Sequence, residues 1–178
     1  MNRSTPLLNA IEKEVVTLYE TCASGLLRYG MGLVSNRELV EEGLQECYLR
    51  FFIARSEGQT IENPKAWLYR VLRNYLLDRL KEAGEKNKVS LEVLVDQVDL
   101  LENPEKAYIR MEALQNVEKL LAPRELECLR LRVEGFDYNE IANILGIRPG
   151  TIGATLARAL NKISAVVKKP ITNNSRKR

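Results

Sequence analysis

Arginine, asparagine and lysine recur at helical spacing in two parts of this chain, with no bond-making groups beside them. Arg70, Arg73, Asn74 and Lys81 are spaced to share one side of a helix, opposite Leu68, Val71, Leu72, Tyr75 and Leu76. Guanidinium and amide groups in such a row suit phosphate oxygens and base edges. Trp67 borders the stripe, and its indole suits either core packing or stacking on an unpaired base. In the second place, Arg148, Pro149, Gly150 and Thr151 open a helix whose backbone N–H groups can meet phosphate. Thr155, Arg158 and Lys162 follow, and Arg158 can reach a phosphate or a guanine. Gly153 and Ala154 are too short to read bases by side chain, so direct readout there is expected to be weak. The chain has no histidine, no glycine-rich phosphate loop and no convergent Asp/Glu/Cys set. Catalysis, a metal site and a bound cofactor are therefore not expected.

A third group has the opposite sign. Glu38, Glu41, Glu42 and Gln45 line one side of a helix whose other side carries Val40, Gly43, Leu44, Cys47 and Phe51. Leu49 lies on the acidic side and Phe52 at its margin. Such a face repels nucleic acid and suits a protein partner with cations and an apolar notch.

The elements that hold these groups are signalled by caps. Asp137 and Glu140 are spaced as a capping box, Phe136 and Ile141 as a hydrophobic staple, and Gly146 as the left-handed stop. Pro149 then begins the next helix, so 137–152 reads as a helix-turn-helix. Upstream, a first helix is expected from Thr5-Pro6 to about Val34, with a break near Gly25. Ser35 and Glu38 are expected to cap a second helix ending near Arg55. Asn63-Pro64 opens a third, running to Lys81 with Gly84 beyond it. Asn103-Pro104 opens a helix to about Leu121, and Pro123 another that ends at Gly135. The fold class expected is all-α. Two small helical domains (7–82 and 103–168) are joined by a linker (83–102), and a basic tail (169–178) follows.

Composition agrees with nucleic acid as a partner. The net charge is only +3, yet no acidic residue follows Glu140 while Arg148, Arg158, Lys162, Lys168, Lys169, Arg176, Lys177 and Arg178 do. The three cysteines are far apart and flanked by apolar residues, which suits buried thiols in a reducing, cytoplasmic setting. No apolar run approaches the ~20 residues of a membrane helix, so no membrane insertion is expected.

Several of these runs resemble the bacterial RNA polymerase sigma factors of the extracytoplasmic-function type. Glu41-Glu42-Gly43-Leu44-Gln45-Glu46-Cys47-Tyr48 is similar to the family's acidic helix, with Glu42 where Asp is usual. Asn63-Pro64-Lys65-Ala66-Trp67-Leu68-Tyr69-Arg70-Val71-Leu72-Arg73-Asn74 is similar to its promoter-reading helix. Glu140-Ile141-Ala142, Leu145-Gly146, Gly150-Thr151-Ile152 and Arg158-Ala159 are similar to its helix-turn-helix. The resemblance implies that Glu41, Glu42, Gln45, Glu46, Tyr48 and Leu49 dock on core RNA polymerase. It implies that Asn63, Lys65, Trp67, Arg70, Arg73 and Asn74, with the loop from Gln59, hold melted −10 DNA and a flipped base. It assigns the double-stranded −35 element to Arg148, Pro149, Gly150, Thr151, Thr155 and Arg158, and adds an anti-sigma factor as inhibitory partner. The family often has Lys or Arg, Ser and Arg where this chain has Gly153, Ala154 and Thr155, so −35 recognition is expected to lean on shape and backbone. The alternative, a helix-turn-helix regulator acting without polymerase, leaves the acidic helix and the 63–74 run unexplained.

Overall fold

Side-chain caps decide where three of the helices begin. In the computed structural model, which describes residues 4–84 and 119–167, the regular structure is helical throughout. The elements are α1 (Ser4–Met31), α2 (Arg37–Ser56), α3 (Pro64–Glu82), α4 (Pro123–Val133), α5 (Tyr138–Leu145) and α6 (Pro149–Val167). Most of the expected linker, most of the helix opening at Asn103-Pro104 and the basic tail lie outside the described residues.

Asn63 caps α3, its side chain accepting from the Ala66 N–H at 2.9 Å, with Pro64 in the first turn. Asp137 accepts from the Asn139 and Glu140 N–H groups at 2.8 Å, and Glu140 returns the favour to the Asp137 N–H at 2.7 Å. The capping box is thus complete, and Phe136 and Ile141 beside it are buried. Gly146 ends α5 at φ 65°, in the left-handed region. Gly146→Ala is expected to cost about 1 kcal/mol, because a Cβ disfavours that conformation. Thermal unfolding of the variant checks this.

Two expectations need correction. Asn36, not Ser35, caps α2, accepting from the Leu39 N–H at 3.1 Å. Its amide oxygen takes the position that the serine one residue earlier does not reach. Nor does α1 break at Gly25; it runs unbroken from Ser4 to Met31. A Cβ at Gly25 would lie 2.6 Å from the Glu134 carboxylate and would also meet the Tyr69 hydroxyl. The glycine serves close approach, not chain reversal.

Helices α1, α2 and α3 pack round Leu26, Val40, Phe51, Leu68, Leu72 and Leu76, all buried. The same cluster continues into the second unit through Cys128, Leu131, Phe136, Ile141 and Ile152. A separate small cluster, Leu121, Leu126 and Ala159, joins α4 to α6. Helix α4 therefore has two apolar sides, one for its own helix-turn-helix and one in the cluster shared with the first unit. Among the described residues, no helix is long and apolar enough to cross a membrane.

Candidate nucleic-acid and polymerase interfaces

Pro64 starts α3 directly after the loop 57–63, so the loop and the first turns of the helix meet in a concave surface. Gln59, Ile61, Asn63, Trp67 and Arg70 line a cavity of about 370 Å³ there. Asn143 and Ile144 of α5 close its far side. Trp67 is half-buried, packed edge-on against Phe51 at 5.7 Å between ring centroids. It is thus both packed on the core and part of the cavity wall. Arg70 and Asn74 are exposed.

Arg73 departs from the stripe expected of it. Its Nε donates to Glu127 Oε1 at 2.7 Å, and the two side chains are only 13% and 9% exposed. The reason is packing. Tyr69, Leu76 and Leu80 on the neighbouring side of α3 are buried, so the covered surface extends round to Arg73. Tyr29 donates its hydroxyl to the same Glu127 oxygen at 3.0 Å.

Lys65 and Asn63 are engaged as well. Lys65 Nζ donates to the Glu134 carbonyl at 2.7 Å and lies 4.7 Å from the Phe136 ring centroid. Asn63 Nδ2 donates to Glu140 Oε1 at 2.6 Å. Arg28 makes a two-point contact with Glu134 Oε1, at 2.8 Å from Nη2 and 3.2 Å from Nε. Tyr69 donates to Glu134 Oε2 at 3.0 Å. Burial, reinforced by the facing carboxylates, pushes the Tyr29 and Tyr69 phenols well above their usual range, so both stay protonated donors. Glu127 and Glu134 were absent from the sequence reading. On α4 and just after it they look like ordinary surface charges, and nothing local tells what faces them.

The outer face of α6 is small and open. Arg148, Pro149, Gly150, Thr151, Ala154 and Arg158 are exposed. Thr155 is not among them. It is 2% exposed and its hydroxyl donates back to the Thr151 carbonyl at 2.8 Å. Its place between Ile152 and Ala159 puts it on the core side, a spacing visible in the sequence. Thr155→Ala should accordingly leave base preference in promoter DNA unchanged, which binding to a randomised duplex pool would measure. Arg158 Nη2 donates to Thr155 Oγ1 at 3.3 Å and is steered along the helix by it. Lys162 pairs with Glu125 at 2.7 Å, so it belongs to the packing of α4 on α6.

On α2, Glu41, Glu42, Gln45, Leu49 and Ile53 are exposed, with Leu49 at 54% and Ile53 at 45%. Glu41 pairs with Arg37 and Glu46 with Arg50 along the helix surface. Such pairs contribute only about 0.3–0.5 kcal/mol and leave the carboxylates available to a partner. Tyr48 does not join this face. It is 8% exposed, donates to the Leu18 carbonyl at 3.3 Å and packs on Tyr19, so it braces α2 against α1.

Among the described residues no group of His, Cys, Asp and Glu could hold a metal ion. Cys22, Cys47 and Cys128 are free and buried. Burial pushes the Cys47 thiol up to about 12 and Cys128 to about 11, far from a reactive thiolate.

Comparison with known proteins places both halves. Residues 18–85 match the family description Sigma-70 region 2, and residues 112–163 match Sigma-70, region 4. The chain is 27% identical over 155 residues to the ECF RNA polymerase sigma factor SigL of Mycobacterium tuberculosis, covering 82% of this chain and 84% of that protein. It is 25% identical over 167 residues to the ECF RNA polymerase sigma factor EcfG of Rhodopseudomonas palustris, covering 91% and 87%. In fold it is similar to the sigma factor RpoE of Bartonella quintana, solved in complex with the anti-sigma factor NepR. The TM-score is 0.62 at 20% identity, over 89% of this chain and 97% of that one.

Proposed function

Because this chain belongs to the extracytoplasmic-function sigma factors of the sigma-70 family, we propose that its three exposed faces divide promoter recognition among them. Glu42, Gln45 and Leu49 on α2 dock on core RNA polymerase. The cavity of Gln59, Asn63, Trp67 and Arg70 takes a base flipped from the −10 element, with Asn74 beside it. Arg148 to Thr151 and Arg158 meet the −35 duplex, mostly through backbone and shape.

One observation carries the reading most strongly. The loop before α3 and the first turns of α3 form a cavity with an aromatic wall, an amide and an exposed guanidinium, which are the groups that stack on and hydrogen-bond to an extruded base. Flipping a base costs a few kcal/mol, which docking on polymerase offsets. The chain thus lends specificity and leaves the bond-making to the polymerase, in the cytoplasm. By analogy with the NepR-bound relative, an anti-sigma factor restrains it. A regulator without polymerase has no use for the acidic-apolar face of α2.

Transcription by purified core enzyme plus this protein, followed by mapping of start sites, tests the reading. Specific starts preceded by shared −35 and −10 sequences are expected. Failure of the protein to associate with core enzyme would overturn it.

A further inference from the structure

Between Thr151 and Arg158 the outer face of α6 offers nothing longer than alanine. Ile152, Thr155 and Leu156 are buried there, which leaves Gly153, Ala154 and Ala157. The side chain that lies against this bare stretch comes from the neighbouring helix. A Cβ at Gly153 would lie 3.7 Å from Tyr138 Cε2 and 4.0 Å from its Cδ2, with no other side chain within 4 Å among the described residues. Tyr138 opens α5 directly after its cap Asp137 and is 47% exposed. We propose that Tyr138 is a specificity-determining residue for the −35 duplex, its ring making the apolar base contact that α6 lacks. This deepens the sigma-factor reading, which supplies the identity of the duplex.

The base that fits is thymine. Its methyl group stands in the major groove, where apolar and aromatic carbon can meet it. Gly150, one turn before Gly153, has nothing within 4 Å of a Cβ, and Ala154 is exposed. A duplex can therefore come close to α6 beside the ring. A long side chain at position 153 would take the ring's place, so the glycine and the tyrosine work as a pair.

The ring is also held in place before any partner arrives. The Arg132 guanidinium lies 5.7 Å from its centroid, and Arg132 Nη1 is anchored by donating to the Phe136 carbonyl at 2.8 Å. Asp137 fixes the backbone on either side of the tyrosine through its bonds from the Asn139 and Glu140 N–H groups. Nearly half of the side chain is nonetheless left to solvent, and no hydrogen bond of its hydroxyl occurs among the described residues. A ring placed for packing alone gains little from glycine, which offers it no side chain. A ring placed for a partner gains a fixed position beside the helix that enters the groove.

The test uses the full chain, with and without core RNA polymerase, to enrich binders from a randomised double-stranded DNA pool. The enriched duplex is remade with each thymine in turn replaced by uracil, which removes only the methyl group. For the wild-type chain one such replacement should weaken binding about fourfold, as expected for losing one buried methyl-sized group. Tyr138→Ala should bind the thymine duplex at least about fourfold more weakly and no longer distinguish thymine from uracil. Tyr138→Phe should behave as wild type. Circular dichroism confirms retained helix, and should Tyr138→Ala unfold, Tyr138→Ser decides. An alanine variant that still discriminates the methyl group overturns the proposal. So does a phenylalanine variant as weak as the alanine one, which would put the hydroxyl on a phosphate, and so does a pool in which no sequence is enriched. Association with core polymerase is measured in parallel. A chain that shows the Tyr138-dependent thymine preference but never associates overturns the sigma-factor reading and leaves the base contact standing.

Discussion

Glu42→Lys combined with Leu49→Asp is expected to weaken association with core RNA polymerase about a hundredfold, or ~2.8 kcal/mol. Both side chains are exposed, and no hydrogen bond or ion pair of Glu42 occurs among the described residues. The fold should therefore not register the change, and helix content and melting temperature should match wild type. At the interface the two substitutions act together. One places a cation opposite a basic partner surface, and the other puts a charge where an apolar side chain was to be desolvated. Titrating fluorescently labelled protein with core enzyme measures the loss. Glu41→Lys is the internal comparison. Glu41 already pairs with Arg37 at 2.8 Å and lies at the edge of the stripe, so its effect should be several-fold smaller. Equal effects at both positions would mean that α2 offers diffuse charge and no specific apolar contact.

Leu72→Ala is expected to cost 2–5 kcal/mol, a large stability loss in the first unit. Leu72 is fully buried where three helices converge. A Cβ at Gly43 would lie 2.8 Å from Leu72 Cδ1, and one at Gly30 would lie 3.4 Å from its Cδ2. Two glycines on two helices thus admit one leucine from a third. Truncation leaves a void bounded by the glycine backbones and by the side chains of Val40, Tyr75 and Leu76. Against a total stability of roughly 5–15 kcal/mol, such a loss is a large share. Urea unfolding should show a lower midpoint with little change in slope. A midpoint within experimental error of wild type would mean that α1 and α2 collapse onto α3 when the leucine is shortened.

Local chemistry was legible in the sequence and pairing between distant elements was not. Asp137, Glu140, Gly146 and Pro149 act within a few residues of one another, and the helix-turn-helix they specify is the one observed. Asn63-Pro64 likewise fixes the start of α3, and with it the cavity beside its first turns. Ser35 lost its role to Asn36 because adjacent polar residues compete for the same N–H groups. Tyr48 and Thr155 were misplaced for a different reason. Resemblance put them on working faces, while their spacing to Phe51 and Ile152 puts them in the core. Gly25 and Glu134 carried no local sign at all. A helical glycine reads as a weak point and an α4 glutamate as a solvated charge until the two are seen in contact across a long stretch of sequence.

The α2 stripe and the outer face of α6 belong to different helices, and neither is used up in packing. Polymerase and the −35 duplex therefore do not compete for the same side chains, and one molecule can carry both at once.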